Sequence, residues 1–573
     1  MHSALAPVTP THQDSMSSVT EQKKQRKLPS EFADYMPAPS TAEMWAWAIP
    51  AALVFLAVIV PIGWELRQFC VHDAACSRQL SLGWIPGLSL MDLSDGQYRN
   101  FRNSLHILFF MIAVTTSVSN GLRTFKNERL QHAWYFVSSM SFIYAAHGVH
   151  MFFPVFFVVV NYFLTKWAGR YTQTATWIWS FGLLFLLGVN GSTWFRFGYW
   201  LGPWGVELDA QKSMLDFSWG SHFNLIMLRM VSFAMDRYWA TSGRSVCPIK
   251  VGSRDEPWAY SWRVKTHHEA SDYSLLAYMN YCFYLPLYAA GPTITFNAWL
   301  SYVKDANKEM DWRAVALYAA RVFGILFLLE LCLHIIPTFA LSYSKVYEQL
   351  SPLYTTVLAF WALHLLWLKF VILWRFFRLW ALMDGVQPVE NMQRCISNML
   401  SAKQFWKQWH VSFNRWLVRY VYIPLGGSNA GVAVQSINTV AVFLFVALWH
   451  EVNLKLLAWG LTAGASFIPE LLVLKFSQLP SVKAQWETWQ YRLGKAVLLA
   501  ACTYMNKMWN VLGFSVGLEG AGDYFGKVFA PSGWPVLVAM MLWFTATAQV
   551  RMWLRKREVA RAEAAGIQLD AAF

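Results

Sequence analysis

Apolar runs long enough to cross a bilayer recur along almost the whole chain, and no other feature restricts its fold as tightly. A span needs about 20 mainly apolar residues. Such runs fall near residues 45 to 64, 104 to 121, 133 to 164, 174 to 190, 222 to 236, 275 to 296, 314 to 340, 353 to 374, 436 to 449, 454 to 474, 493 to 516 and 534 to 553. His147, Gly148 and His150 interrupt the third run, which reads as a broken pair of helices. Pro286 and the adjacent Gly291 and Pro292 predict a kinked or broken sixth run that helps to frame a cavity. The expected fold is an all-α polytopic membrane protein with roughly 10–12 transmembrane or re-entrant segments. A soluble chain would carry about a quarter charged residues. Here 14% of 573 residues are charged and 56% are hydrophobic, which excludes a string of water-soluble domains.

Residues 1 to 42 are rich in Ser, Thr, Pro, Gln and charge, with a cluster at Lys23, Lys24, Arg26 and Lys27. They lack an apolar period and read as a disordered basic tail. The membrane domain is expected over 43–556, followed by a short tail over 557–573. The first apolar run begins at Trp45 and is long enough to remain as a span, so no signal peptide is expected. The formal net charge of +14 comes from Lys and Arg between the apolar runs and at the chain ends. Positive loops facing the cytosol account for it without nucleic acid as a partner. With a cytosolic basic tail, the stretch 65 to 103 is lumenal, and the turn bearing Arg123, Lys126 and Arg129 is cytosolic. That topology puts Cys70 and Cys76 in an oxidising compartment, where they can form a short disulfide, though the sequence does not decide whether they pair. Cys247, Cys282, Cys332, Cys395 and Cys502 show no metal-ligand or redox spacing.

Ionisable residues inside apolar runs are costly and mark places to look for chemistry. From Ile437 to Ile468, 32 residues are apolar except for a patch at His450, Glu451, Asn453 and Lys455. This is too long for one ordinary crossing, so the patch marks a turn and His450 ends the first helix. A second His lies between Phe405 and Trp416. On a continuous helix Lys407, His410 and Asn414 share one face, while Phe405, Trp409, Phe413 and Trp416 form an aromatic stripe on another. By spacing alone, both histidines also fit interfacial or satisfied core positions. His267, His268, Glu269 and Asp272 read as a polar loop rather than a metal site, since consecutive His residues on a helix diverge by about 100°, and no metal is expected. Arg321, Glu330 and His334 fit either a structural polar contact or a proton path. Lys369, Arg375 and Arg378 lie among aromatics near a helix end, where they either snorkel to lipid or bind the phosphates of an anionic cofactor.

Several stretches together resemble the membrane-bound O-acyltransferase superfamily. They are the aromatic segment with His410, RYVYIPLGGS from Arg419 to Ser428, and LWH ending at His450, 40 residues after His410. RLWALMDGVQPVENMQRC from Arg378 to Cys395 resembles the glycerol uptake protein branch. So do DYSL from Asp272, AGPTITFN from Ala290, AAHG from Ala145 and SDGQYR from Ser94. The resemblance implies an acyltransferase that moves a fatty acyl chain from acyl-CoA to a hydroxyl inside an all-helical core with a tunnel. It places the family's catalytic His at His450 and its second active-site position at His410. It also implies a multi-pass protein of the endoplasmic reticulum membrane that reacylates lysolipid or lyso-glycosylphosphatidylinositol (lyso-GPI) anchors among the membrane lipids. Acyl-CoA is then a co-substrate, and no bound cofactor is expected. In that frame His450 is the expected base, and His410 and Asn414 orient the acceptor or donate to the oxyanion. Lys403, Lys407, Arg375 and Arg378 are available for CoA phosphates. The alternatives are a secondary transporter of glycerol or another small solute, and a non-catalytic membrane scaffold.

Overall fold

The structure, a computed structural model, describes residues 38–182, 195–215, 217–242, 260–305, 310–399, 401–427, 431–477, 479–486 and 488–564. Most of the expected N-terminal tail, part of the run at 174 to 190, Cys247, Ser428 and the last nine residues lie outside that set. Eight helical segments among the described residues are long and apolar enough to cross a membrane. Trp219–Ser242 and Trp489–Val511 match them in length but carry more polar residues. The helix expected to end by 556 runs from Trp534 to Ala564.

The first span starts at Ser40, whose hydroxyl accepts the Glu43 N–H at 3.2 Å while the Glu43 carboxylate accepts the Ser40 N–H at 2.7 Å. Its far end carries a disulfide between Cys70 and Cys76, the pairing that the sequence left open. An antiparallel hairpin, Leu80–Ile85 with Leu88–Asp92, follows and packs on the same end. There Glu330 is saturated: Tyr98 Oη at 2.5 Å, Trp84 Nε1 at 2.8 Å and Arg102 Nε at 2.9 Å all donate to it. His334 Nε2 accepts the Trp84 N–H at 3.2 Å, whereas Arg321 is exposed and stands apart. This group is a structural knot that ties the hairpin to the bundle. Lys369, expected at a helix end, instead pairs with Asp95 at 2.7 Å and is buried.

Leu105–Thr124 crosses from that end to the basic turn at the other. The next run breaks as expected, into Glu128–His147, a single 3₁₀ turn and Phe152–Ala168. The sixth run breaks further, into Leu275–Cys282, Leu285–Tyr288 and Phe296–Lys304, with irregular backbone between. Nearly every residue of this segment is buried. Non-helical backbone at membrane depth is tolerated only inside protein, because lipid offers it no hydrogen bonds.

The surrounding helices supply those bonds. Arg229, itself buried, donates to the carbonyls of Cys282 at 2.8 Å and Leu287 at 2.5 Å. Ser412 Oγ accepts the Thr293 N–H at 2.8 Å, Tyr281 Oη donates to the Ile294 carbonyl at 2.6 Å, and Ser232 Oγ accepts the Phe296 N–H at 3.1 Å.

Two outcomes follow from this arrangement. Arg229→Leu orphans buried carbonyls at about 1–3 kcal/mol each, so thermal melting of the detergent-solubilised protein should fall clearly below wild type. An unchanged melting temperature would contradict the role given to Arg229. Cys70 and Cys76 should resist maleimide in the denatured, non-reduced protein and label after reduction.

Candidate active site

His450 stands at the last position of the Gly431–His450 helix. The chain turns immediately because Asn453 caps the next helix, its Oδ1 accepting the Leu456 N–H at 2.8 Å. The two helices then pack without a gap. A Cβ on Gly460 would lie 2.9 Å from Ala447 Cβ, and one on Gly464 would lie 3.1 Å from Val440 Cα. These small residues one turn apart let the backbones approach. A two-way clamp fixes the helix end: Trp449 Nε1 donates to the Asn224 carbonyl at 2.9 Å, and Asn224 Nδ2 donates to the Trp449 carbonyl at 2.7 Å.

The continuous amphipathic helix expected around His410 is not formed. Ala402–Gln408 and Val411–Leu417 are separate helices, and His410 between them is left-handed at φ 49° and ψ 55°. That conformation costs a non-glycine residue about 1 kcal/mol or more. The loop after the long Pro352–Met383 helix enforces it. The Asn391 carbonyl accepts the Val411 N–H at 3.1 Å, and Asn391 Oδ1 accepts the Ser412 N–H at 3.0 Å. Upstream, the Glu470 carboxylate accepts the Ala402 N–H at 2.8 Å and caps the first short helix. The break turns the His410 ring onto Trp374, stacked at 4.3 Å.

An aromatic row joins the two histidines. Phe413 lies 5.2 Å from His410 and 4.5 Å from Trp449, which lies 4.7 Å from His450. Both imidazoles line one cavity of about 650 Å³, together with Asn414, Lys403 and Lys407. Much of the remaining wall is apolar, including Leu363, Phe370, Trp374, Phe443 and Val446, and the broken segment contributes Ala289, Ala290 and Gly291. The buried Nε2 of the His410 ring has no hydrogen-bond partner among the described residues. A second cavity of about 370 Å³ is lined on one side by the Ala402–Gln408 helix and shares Ser401, Lys403 and Lys407 with the first.

Arg375 and Arg378 do not join the wall of the main cavity. Both point to Glu390, at 3.3 Å and 3.9 Å, and donate to the carbonyls of Met392 and Pro388 at 3.3 Å and 2.8 Å. They brace the loop that carries Asn391, one step behind His410. At the histidine pair of the 267–272 loop, His268 Nε2 bonds the Asn297 carbonyl at 2.9 Å. No group of three metal-ligating side chains occurs among the described residues. Asn224, Trp374, Asn391, Lys507 and Asn510 are site residues that sequence reasoning passed over. Lys507 carried a signal as a cation inside an apolar run, and Asn391 lies within the branch-specific stretch from Arg378 to Cys395.

The family model for membrane-bound O-acyltransferases matches residues 206–512. The chain is 31% identical over 497 residues to the membrane-bound O-acyltransferase GUP1 of Saccharomyces cerevisiae, covering 85% of this chain and 86% of that protein. It is 30% identical over 498 residues to gup1 of Schizosaccharomyces pombe, covering 84% and 83%. Similarity to the protein-cysteine N-palmitoyltransferase HHAT of Mus musculus is 28% over 274 residues, 46% of this chain and 54% of that one.

The clamp on the His410 turn gives a test of positioning. Asn391→Ala removes the side-chain acceptor of the Ser412 N–H and should lower kcat about 10- to 100-fold, with KM little changed. Asn391→Asp keeps that acceptor and should restore most of the rate. Equal losses in both variants, or a pure KM effect, would show that the side chain does not position His410.

Proposed function

The chain belongs to the membrane-bound O-acyltransferase family, and we propose that it moves a fatty acyl chain from acyl-CoA to a lipid hydroxyl, reacylating lyso-GPI anchors in the endoplasmic reticulum membrane. The observation that carries this reading is the pair of imidazoles, His450 and His410, on one largely apolar cavity inside a helical membrane bundle. A fatty chain leaving water gains about 0.8 kcal/mol per buried CH₂, which suits such a wall. The long matches to proteins named membrane-bound O-acyltransferases support acyl transfer to an oxygen acceptor.

In the proposed reaction, a neutral His450 ring nitrogen takes the proton of the acceptor hydroxyl as its oxygen attacks the thioester carbonyl. His410 and Asn414 border the same cavity and donate hydrogen bonds to the developing oxyanion. The tetrahedral intermediate collapses by breaking the carbon–sulfur bond. The departing CoA thiolate takes back the proton held on His450, leaving ester, free CoA and a neutral imidazole. Lys403 and Lys407, which border both cavities, suit the CoA phosphates.

Purified wild-type protein should transfer label from acyl-CoA to a lyso-anchor. His450→Ala at matched amounts should fall by about 10²-fold or more, with normal abundance and elution. His410→Ala should lose less, because water partly replaces a hydrogen-bonding group. Equal rates for wild type and His450→Ala would reject the assignment of the base.

A further inference from the structure

One wall of the main cavity is unsuited to a fatty chain. Thr503, Asn506, Lys507 and Asn510 of the Trp489–Val511 helix all border it, as does Phe514 in the following turn. The spacing from Thr503 to Lys507, Asn510 and Phe514 is that of one helix face. Phe514 packs on His450 at 5.6 Å between rings, so this polar ladder starts at the expected base. At 1.5 Å per residue, Lys507 lies about 10 Å further along the helix axis.

Lys507 is 7% exposed, and its Nζ has no hydrogen-bond partner among the described residues. It forms no ion pair among the described residues; the rings of Phe360 and Phe544 lie at 5.6 Å each, and His364, Cys395 and the buried Arg551 are close enough to interact with it. Its neighbours are arranged around it: Asn506 Oδ1 accepts Trp406 Nε1 at 3.1 Å, and Asn510 Nδ2 donates to the Asn506 carbonyl at 2.7 Å. The described lining of the cavity includes Lys403, Lys407 and Lys507 and no Asp or Glu. An unpaired buried cation in a membrane protein is costly and marks a functional position.

We propose that Lys507 is the anion-binding residue of the acceptor subsite, taking the phosphodiester of the lipid acceptor while its hydroxyl lies at His450. The inference rests on the acyl-transfer reading above and adds the charge class of the acceptor to it. A phosphodiester carries a single negative charge, which one buried ammonium matches. The polyanionic CoA headgroup is better served by Lys403 and Lys407, which border both cavities, with Lys407 exposed. Asn510, between Lys507 and Phe514, is placed to hydrogen-bond the polar linkage between phosphate and hydroxyl.

The test uses the full chain in neutral-lipid nanodiscs, as wild type, Lys507→Met and Lys507→Arg, all checked for matched elution. Binding of fluorescent lysophosphatidylinositol, read by anisotropy without acyl donor, should weaken about 10-fold or more in Lys507→Met. In Lys507→Arg it should stay close to wild type. In turnover, the ratio of kcat/KM for lysophosphatidylinositol over uncharged monoacylglycerol should fall by a similar factor in Lys507→Met. Unchanged binding and an unchanged ratio would overturn the subsite. So would a selective rise in the KM for acyl-CoA, which would place a CoA phosphate at Lys507. If transfer proceeds while Lys507→Met binds like wild type, the subsite fails and the acyl-transfer reading stands. If binding depends on Lys507 but no acyl group moves, the reverse holds.

Discussion

Backbone N–H and C=O groups in a bilayer must find partners within the protein, and the architecture follows from where this chain breaks its helices despite that demand. The segment 275–304 has two interruptions and 402–417 has one. A cavity cannot form where straight helices pack side by side, because their side chains fill the space between them. It forms here because broken backbone replaces helix, and because buried polar side chains make the breaks tolerable. Arg229 serves the carbonyls of the first segment, and Asn391 serves the N–H groups of the second.

The two broken segments also support each other. Ser412, in the turn after His410, accepts the Thr293 N–H of the other segment. Asp236 accepts Arg419 at 3.0 Å and Tyr420 Oη at 2.8 Å, and its other oxygen accepts the Asn297 N–H at 3.3 Å. The helix Trp219–Ser242 thus contributes Asn224 at the His450 end, Arg229 and Ser232 in the middle and Asp236 beyond. Those polar residues explain why this helix, long enough to span, is not among the eight apolar ones.

Features set by local chemistry were legible in the sequence. Pro286, Gly291 and Pro292 announced a break, as did Gly148, and the polar patch after Trp449 put His450 at a helix end. Features set by distant partners were not. The residues from Phe405 to Trp416 have a good helical pattern, but the loop bearing Asn391 and Met392 holds the left-handed turn at His410. Arg375 and Arg378 looked available for phosphate until the loop after Met383 folded Glu390 back against them. The Glu330 carboxylate gathers Tyr98, Trp84 and Arg102 from more than 220 residues away, a pairing no local pattern contains.

The same accounting separates scaffold from site. Asp95 is paired with Lys369, Asp236 with Arg419 and Glu390 with Arg375, while Glu470 caps a helix and Glu330 is saturated by three donors. The structural carboxylates are thus used in holding the bundle together, and none lies on the described wall around the imidazoles. This arrangement suits the proposed chemistry. A carboxylate on that wall would pair with the lysines and neutralise them. It would also repel an anionic ligand. A cavity lined by two imidazoles and three lysines, with the carboxylates withdrawn into the scaffold, suits the proposed base and an anionic ligand.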